Sequence, residues 1–174
     1  STTFNYNVEA GTQRWGDYST TSVDPTDGMT MWTTQEYCNF TNSWSTRVIQ
    51  LIAPPPATPV SASPPTVAVG DSNVDVTATG NVVSGSGFFA PDPSFPNHII
   101  ASVSGADVTV TSVTFINPTT ITLNVSVSGG AATGPRSITV TNPDGQSVGS
   151  AGGILTIVPS CNLLGDVNED TLID

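Results

Sequence analysis

The stretch VTVTSVTFINPTTITLNVSVSGGAATGPRSITVTNPDGQS, residues 108–147, decides the fold. Val108 and Val110 alternate with Thr109 and Thr111. Ile121, Leu123, Val125 and Val127 alternate with Thr122, Asn124 and Ser126, and Ile138 and Val140 flank Thr139. A period of two puts one face of each segment in a core and the other in water, which is the signature of half-buried strands. INPTT at 116–120 and NPDG at 142–145 separate them. Both place Pro at the first central turn position, and NPDG adds Asp and Gly where turns favour them.

Working outward, the pattern continues in Val74, Val76 and Ala78, which alternate with Asp75 and Thr77. The whole chain is rich in Thr, Ser, Val, Gly and Pro and poor in Glu and Leu, with no Lys. β-Branched residues are abundant and good helix formers scarce, so the expected fold class is all-β. About seven short strands over residues 67–158 is the span of an immunoglobulin-like sandwich. No Cys–Trp–Cys pattern is present, so an antibody-type domain is excluded.

Fourteen acidic residues face three basic ones, Arg14, Arg47 and Arg136, for a net charge of −11. Such a surface repels phosphate backbones and anionic headgroups, which sets aside nucleic acid and membrane surfaces as partners. No apolar run approaches the ~20 residues of a membrane helix, so no membrane insertion is expected. With 37% apolar residues the chain can bury a core. The Lys-free, Thr/Ser-rich composition suits an extracellular or cell-surface protein. Asn39-Phe40-Thr41 and Asn124-Val125-Ser126 are glycosylation sequons. Cys38 and Cys161 can pair, stay as free thiols or pair elsewhere, and the sequence does not choose.

The chain reads as three segments, with a proline-rich linker after the first. Residues 1–52 hold all three Trp and all three Tyr. APPPATPVSASPPT, residues 53–66, contains six prolines and is expected to be an extended spacer of roughly 40 Å, unless part of it runs along a sheet edge. Residues 67–158 are the sandwich and 159–174 a tail. GSGF at 85–88, the 108–147 stretch and GILTIV at 153–158 resemble an IPT/TIG domain, most specifically in GPRSITVTNPDGQS. That resemblance implies an immunoglobulin-like sandwich used as a spacer, adhesion module or enzyme accessory. FAPDPSFPNHIIAS at 89–102 departs from the family and is expected to be an irregular loop, with His98, the sole histidine, exposed to solvent.

In the tail, GDVNEDTLID at 165–174 resembles the first calcium repeat of a dockerin. Asp166, Asn168, Asp170 and Asp174 fall at loop positions 1, 3, 5 and 9, and the Leu172 carbonyl at position 7, a set of hard oxygen donors for Ca2+. Ile173 would pack inward. Thr171 stands where Gly normally permits the sharp turn, and the position-12 acid would be residue 177, so binding by these residues alone is expected to be weak. The tail and the strand-like start at Ser1 are read as the cut ends of a longer secreted protein.

In the first segment, Met29–Tyr37 and Trp44–Ile52 read as strands after a turn at Asp24–Gly28. The segment resembles the terminal blade of sialidase-like or BNR-type propellers, with SVDPTDGMTMW at 22–32 a stretched version of their Asp-box. Trp15, Tyr18 and Trp32, with Tyr37 and Trp44, suit a carbohydrate-stacking platform, though packing within a blade accounts for the same rings and is the preferred reading. Asp17, Asp24, Asp27 and Glu36 could supply a carboxylate pair for glycoside hydrolysis, and Arg14 and Arg47 could bind a carboxylate. A structural role at turns is preferred, so no catalytic residue is assigned.

The expected function is therefore non-catalytic. The sandwich spaces and presents neighbouring modules of the same chain, and the tail docks in a calcium-dependent manner, to a cohesin-like protein or a polysaccharide as the resemblance implies. The alternatives are the accessory end of a propeller glycoside hydrolase, and a module that binds polysaccharide.

Overall fold

Alternating valines and threonines leave this chain little to form but strands, and the computed structural model is all-β. It describes residues 18–160 and, before them, the backbone of two short strands. The chain divides into two units. The first runs to Ala53 and takes in Pro91–His98; the second comprises Pro54–Ala90 and the chain from Ile99 onward.

In the first unit, β1 (Asn7–Glu9) pairs antiparallel with β2 (Thr12–Gln13). β3 (Ser19–Val23), β4 (Met31–Phe40) and β5 (Ser43–Leu51) form an antiparallel sheet in chain order. β4 starts at Met31 rather than at the expected Met29 because Asp27 holds the preceding turn. Its Oδ1 accepts the amides of Met29 and Thr30, both at 2.8 Å. Its Oδ2 accepts the Thr30 hydroxyl at 2.7 Å. Gly28 in that turn has φ +66°, a conformation that disfavours a side chain. A Cβ there would also lie 3.0 Å from Pro91 Cβ and 3.3 Å from the Phe95 ring. The Asn97 amide donates to Thr26 O at 2.9 Å. Of the stretch 89–102 expected to be an irregular loop, Pro91–His98 is irregular and packs on the first unit's turn, whereas residues 100–102 belong to a strand.

The second unit contains β6 (Thr58–Ser63), β7 (Thr66–Ala68), β8 (Val74–Asn81), β9 (Ile100–Val103), β10 (Val108–Asn117), β11 (Thr120–Val127), β12 (Gly134–Arg136), β13 (Ile138–Thr141), β14 (Ser147–Gly149) and β15 (Leu155–Val158). They make three sheets, ordered β10-β11-β8-β6, β12-β15-β7 and β14-β13-β9. All pairs are antiparallel except β15 with β7. The proline-rich stretch is not a free spacer, since β6 pairs with β8 along the sheet edge. Proline, having no N–H to offer a ladder, is tolerated on an edge strand. Here it also packs: Pro56 and Pro59 are fully buried.

The three sheets enclose one core, giving a sandwich-like unit. Ile121, Leu123 and Val125 of β11 meet Val76 and Ala78 of β8, Ile138 and Val140 of β13, and Leu155 and Ile157 of β15. Each of these is at most 1% exposed, and burying such a side chain fully contributes roughly 1.5–3 kcal/mol. β10 departs from strict alternation. Its register against β11 slips between Val110 and Ser112, so Val108 and Val110 face inward before the slip and Val113 and Phe115 after it. An extra residue opposite one partner is a β-bulge. The Thr111 hydroxyl closes it by donating to Asn124 Oδ1 at 2.6 Å.

Candidate functional site

Antiparallel partners lie on the same face of a sheet, so the β3-β4-β5 register assigns its two surfaces. On one, Trp32 lies between Ser22 and Gln50, Thr34 between Thr20 and Val48, Glu36 opposite Thr46, and Cys38 opposite Trp44. On the other lie Met31 with Val23 and Leu51, Thr33 with Ile49, and Tyr37. The described rings are at the surface of this unit. Tyr18 is 76%, Trp44 52% and Trp32 38% exposed.

Tyr18, Thr20, Thr34, Glu36 and Thr46 line a cavity of about 330 Å³ on the first of these surfaces. Strand alternation puts the hydroxyls of Thr20, Thr34 and Thr46 on three neighbouring strands around it. Trp32 stands at one end of the same face and Trp44 at the other. The Trp32 indole is held in place: its Nε1–H donates to Asp24 Oδ2 at 2.8 Å. Asp24 Oδ1 accepts the Thr26 hydroxyl at 2.6 Å and the Thr26 amide at 2.9 Å. The Thr26 hydroxyl, the Trp32 indole and the Thr26 amide together hold the Asp24 carboxyl below the ordinary 3.8.

Asp24 and Asp27, named above as possible hydrolytic carboxylates, therefore both spend their oxygens on structure, Asp27 on the 24–30 turn and Asp24 on that turn and the Trp32 indole. Arg47 lies over the Tyr37 ring, 5.7 Å from its centroid, a cation–π contact on the opposite surface. Cys38 is a buried free thiol that donates to Phe40 O at 3.0 Å. His98 is exposed. Trp15, Arg14, Asp17 and Cys161 lie outside the described residues, as do all the calcium ligands expected in the tail, Asp166, Asn168, Asp170, Leu172 and Asp174. Among the described residues, no three His, Cys, Asp or Glu are grouped to hold a metal ion, and no helix is long and apolar enough to cross a membrane.

The threonines around the cavity do not stand out in the sequence as the single rings do. The signal was present, because period two from Trp32 puts Thr34 and Glu36 on its own face. What β4 alone does not show is that Thr20 and Thr46 come alongside, since that depends on register across two turns.

The sandwich carries a second, larger depression of about 640 Å³, lined by residues that include Asp107, Thr109, Ser126 and Ser128. Its wall is braced. Asp107 Oδ2 accepts the Ala132 amide at 2.9 Å and Arg136 Nη2 at 3.4 Å. The same Arg136 nitrogen donates to Ala132 O at 2.6 Å. Arg136 Nε is buried without a partner. Both sequon asparagines use their side-chain amides, Asn39 donating to Ser45 Oγ at 3.1 Å and Asn124 to Asp75 Oδ1 at 2.8 Å.

Compared with known proteins, the chain matches no protein-family model, and no curated protein or solved structure is significantly similar to it.

Proposed function

We propose that this chain is a non-catalytic region of an extracellular or cell-surface modular protein, in which an immunoglobulin-like sandwich of IPT/TIG type spaces and presents its neighbours. The observation that carries the reading is the construction of the second unit. A single core joins all three of its sheets, its edge strand is proline-bearing, and its loops are tied down by side chains. A unit with one core and loops fastened by side chains suits a support better than a device that must move. The first unit supplies an adhesion surface. Asp166, Asn168, Asp170, Leu172 and Asp174 supply calcium-dependent docking to a cohesin-like partner.

A second reading is favoured by one observation. Both surfaces of the three-stranded sheet carry exposed apolar chains, Met31, Ile49 and Leu51 on one and Trp44 and Val48 on the other, as a terminal propeller blade of a glycoside hydrolase would when its neighbours are absent.

Limited proteolysis of the whole chain tests the support role. Cleavage is expected outside residues 54–90 and 99–158, leaving the strands of the sandwich uncut. Cuts within β8, β10, β11 or β13 at the rate seen in the first unit would overturn it. Hydrogen exchange with and without millimolar calcium tests the docking role. Protection gained within residues 166–174 supports calcium binding there, and unchanged exchange removes it.

A further inference from the structure

One face of the β3-β4-β5 sheet combines three features that point to one class of ligand. It carries exposed rings at both ends and near the middle: Trp32, Trp44 and Tyr18. Between them is a cavity of about 330 Å³ walled by hydroxyl side chains and Glu36. The rows containing Trp32 and Trp44 are six residues apart along β4, which is about 20 Å at strand rise. Flat rings spaced by hydroxyls match a molecule with alternating apolar faces and hydroxyl edges. The charge balance selects among such molecules. A chain of net charge −11 with a carboxylate in the cavity repels uronic and sulfated sugars.

We propose that this face binds a short, uncharged oligosaccharide lying along β4, with Trp32 and Trp44 stacking on terminal units and Tyr18, Thr20, Thr34 and Glu36 holding the central one. Asp24 acts as a positioning residue, fixing the Trp32 ring through its indole N–H. The inference gives the adhesion role above a ligand class. It does not depend on the support role of the sandwich.

The test is isothermal titration of the whole chain with cellohexaose, xylohexaose and mannohexaose, and with polygalacturonate as the anionic counterpart. Binding of at least one neutral hexasaccharide is expected, with none of polygalacturonate. Trp44→Ala and Tyr18→Ala, both at exposed rings, should each weaken it about tenfold. Met31→Ala on the opposite surface should leave it unchanged. Thr34→Val, nearly isosteric, should weaken it several-fold while the circular dichroism spectrum is retained.

Absence of binding to every neutral hexasaccharide would overturn the proposal. So would equal loss from Met31→Ala and Trp44→Ala, or a preference for polygalacturonate. None of these outcomes touches the support role, which the proteolysis pattern of the sandwich decides separately.

Discussion

Asn142 opens the NPDG turn, and its side chain is only 1% exposed. Its Nδ2 donates to Gly87 O at 2.9 Å and its Oδ1 accepts the Phe89 amide at 3.1 Å, so one amide fastens the 87–89 loop to the β13–β14 turn. Asn142→Ala should leave both backbone groups without that partner and cost about 2 kcal/mol, read as a lower urea midpoint with faster exchange at Phe89. Gly80 shows the complementary constraint. A Cβ there would fall 2.8 Å from both Ala57 Cβ and the Phe88 ring, so Gly80→Ala should destabilise by about 1–3 kcal/mol, measured by the same melt. Asp24 makes a prediction in pH. Its carboxyl is held below 3.8 by the Thr26 hydroxyl, the Trp32 indole and the Thr26 amide. The unfolded group titrates near 3.8, so its contribution is fully present above that value and is lost as pH falls through the lower folded value. Trp32 emission, isolated by difference against Trp32→Phe, should hold steady down to about that pH and change below it. Asp24→Asn should remove the transition. NPDG was legible as a turn from composition. That Asn142 would be a buried clamp was not, because its partners are 53 and 55 residues away.

β11 is the element the sequence described best. Its four apolar residues alternate without a break, and all four are buried. It is an interior strand, paired with β10 on one side and β8 on the other. β10 was legible only in part, because VTVTSVTF contains two runs of alternation joined by one extra residue. Removing Ser112 would turn the strand into VTVTVTF, a single unbroken alternation. Deletion of Ser112 should therefore give a folded chain in which β10 pairs with β11 without the bulge at 111–112, and a modest drop in melting temperature. Deletion of Thr122 should abolish folding, since a one-residue slip in β11 turns half its apolar set away from the core. Circular dichroism melts of the two deletions check the contrast. The proline stretch left two readings open, a spacer and a sheet edge, for a definable reason. Composition reports that 53–66 is extended, and both a polyproline spacer and an edge strand are extended. Only the partner, β8, distinguishes them.

Across the whole molecule, buried apolar residues are distributed unequally. Among the described residues, Cys38 is the only buried hydrophobic of the first unit, whereas the second holds the entire core cluster. Local stability follows buried contacts. Amides of β3–β5 should exchange faster than those of β8, β11 and β13 by at least a hundredfold, as read by exchange mass spectrometry; equal rates would mean that the exposed rings are covered in solution. The sequence by itself determined the all-β class, the alternation of the sandwich strands, most of the turns and the acidic surface, because each depends on near neighbours in the chain and on composition. Only the tertiary structure decided that Pro91–His98 belongs with the first unit, that the prolines edge a sheet, and that Thr20, Thr34 and Thr46 line one cavity beside Tyr18. Those outcomes rest on strand order and register between distant segments, which hydrophobic pattern constrains by face but does not by itself assign to a partner.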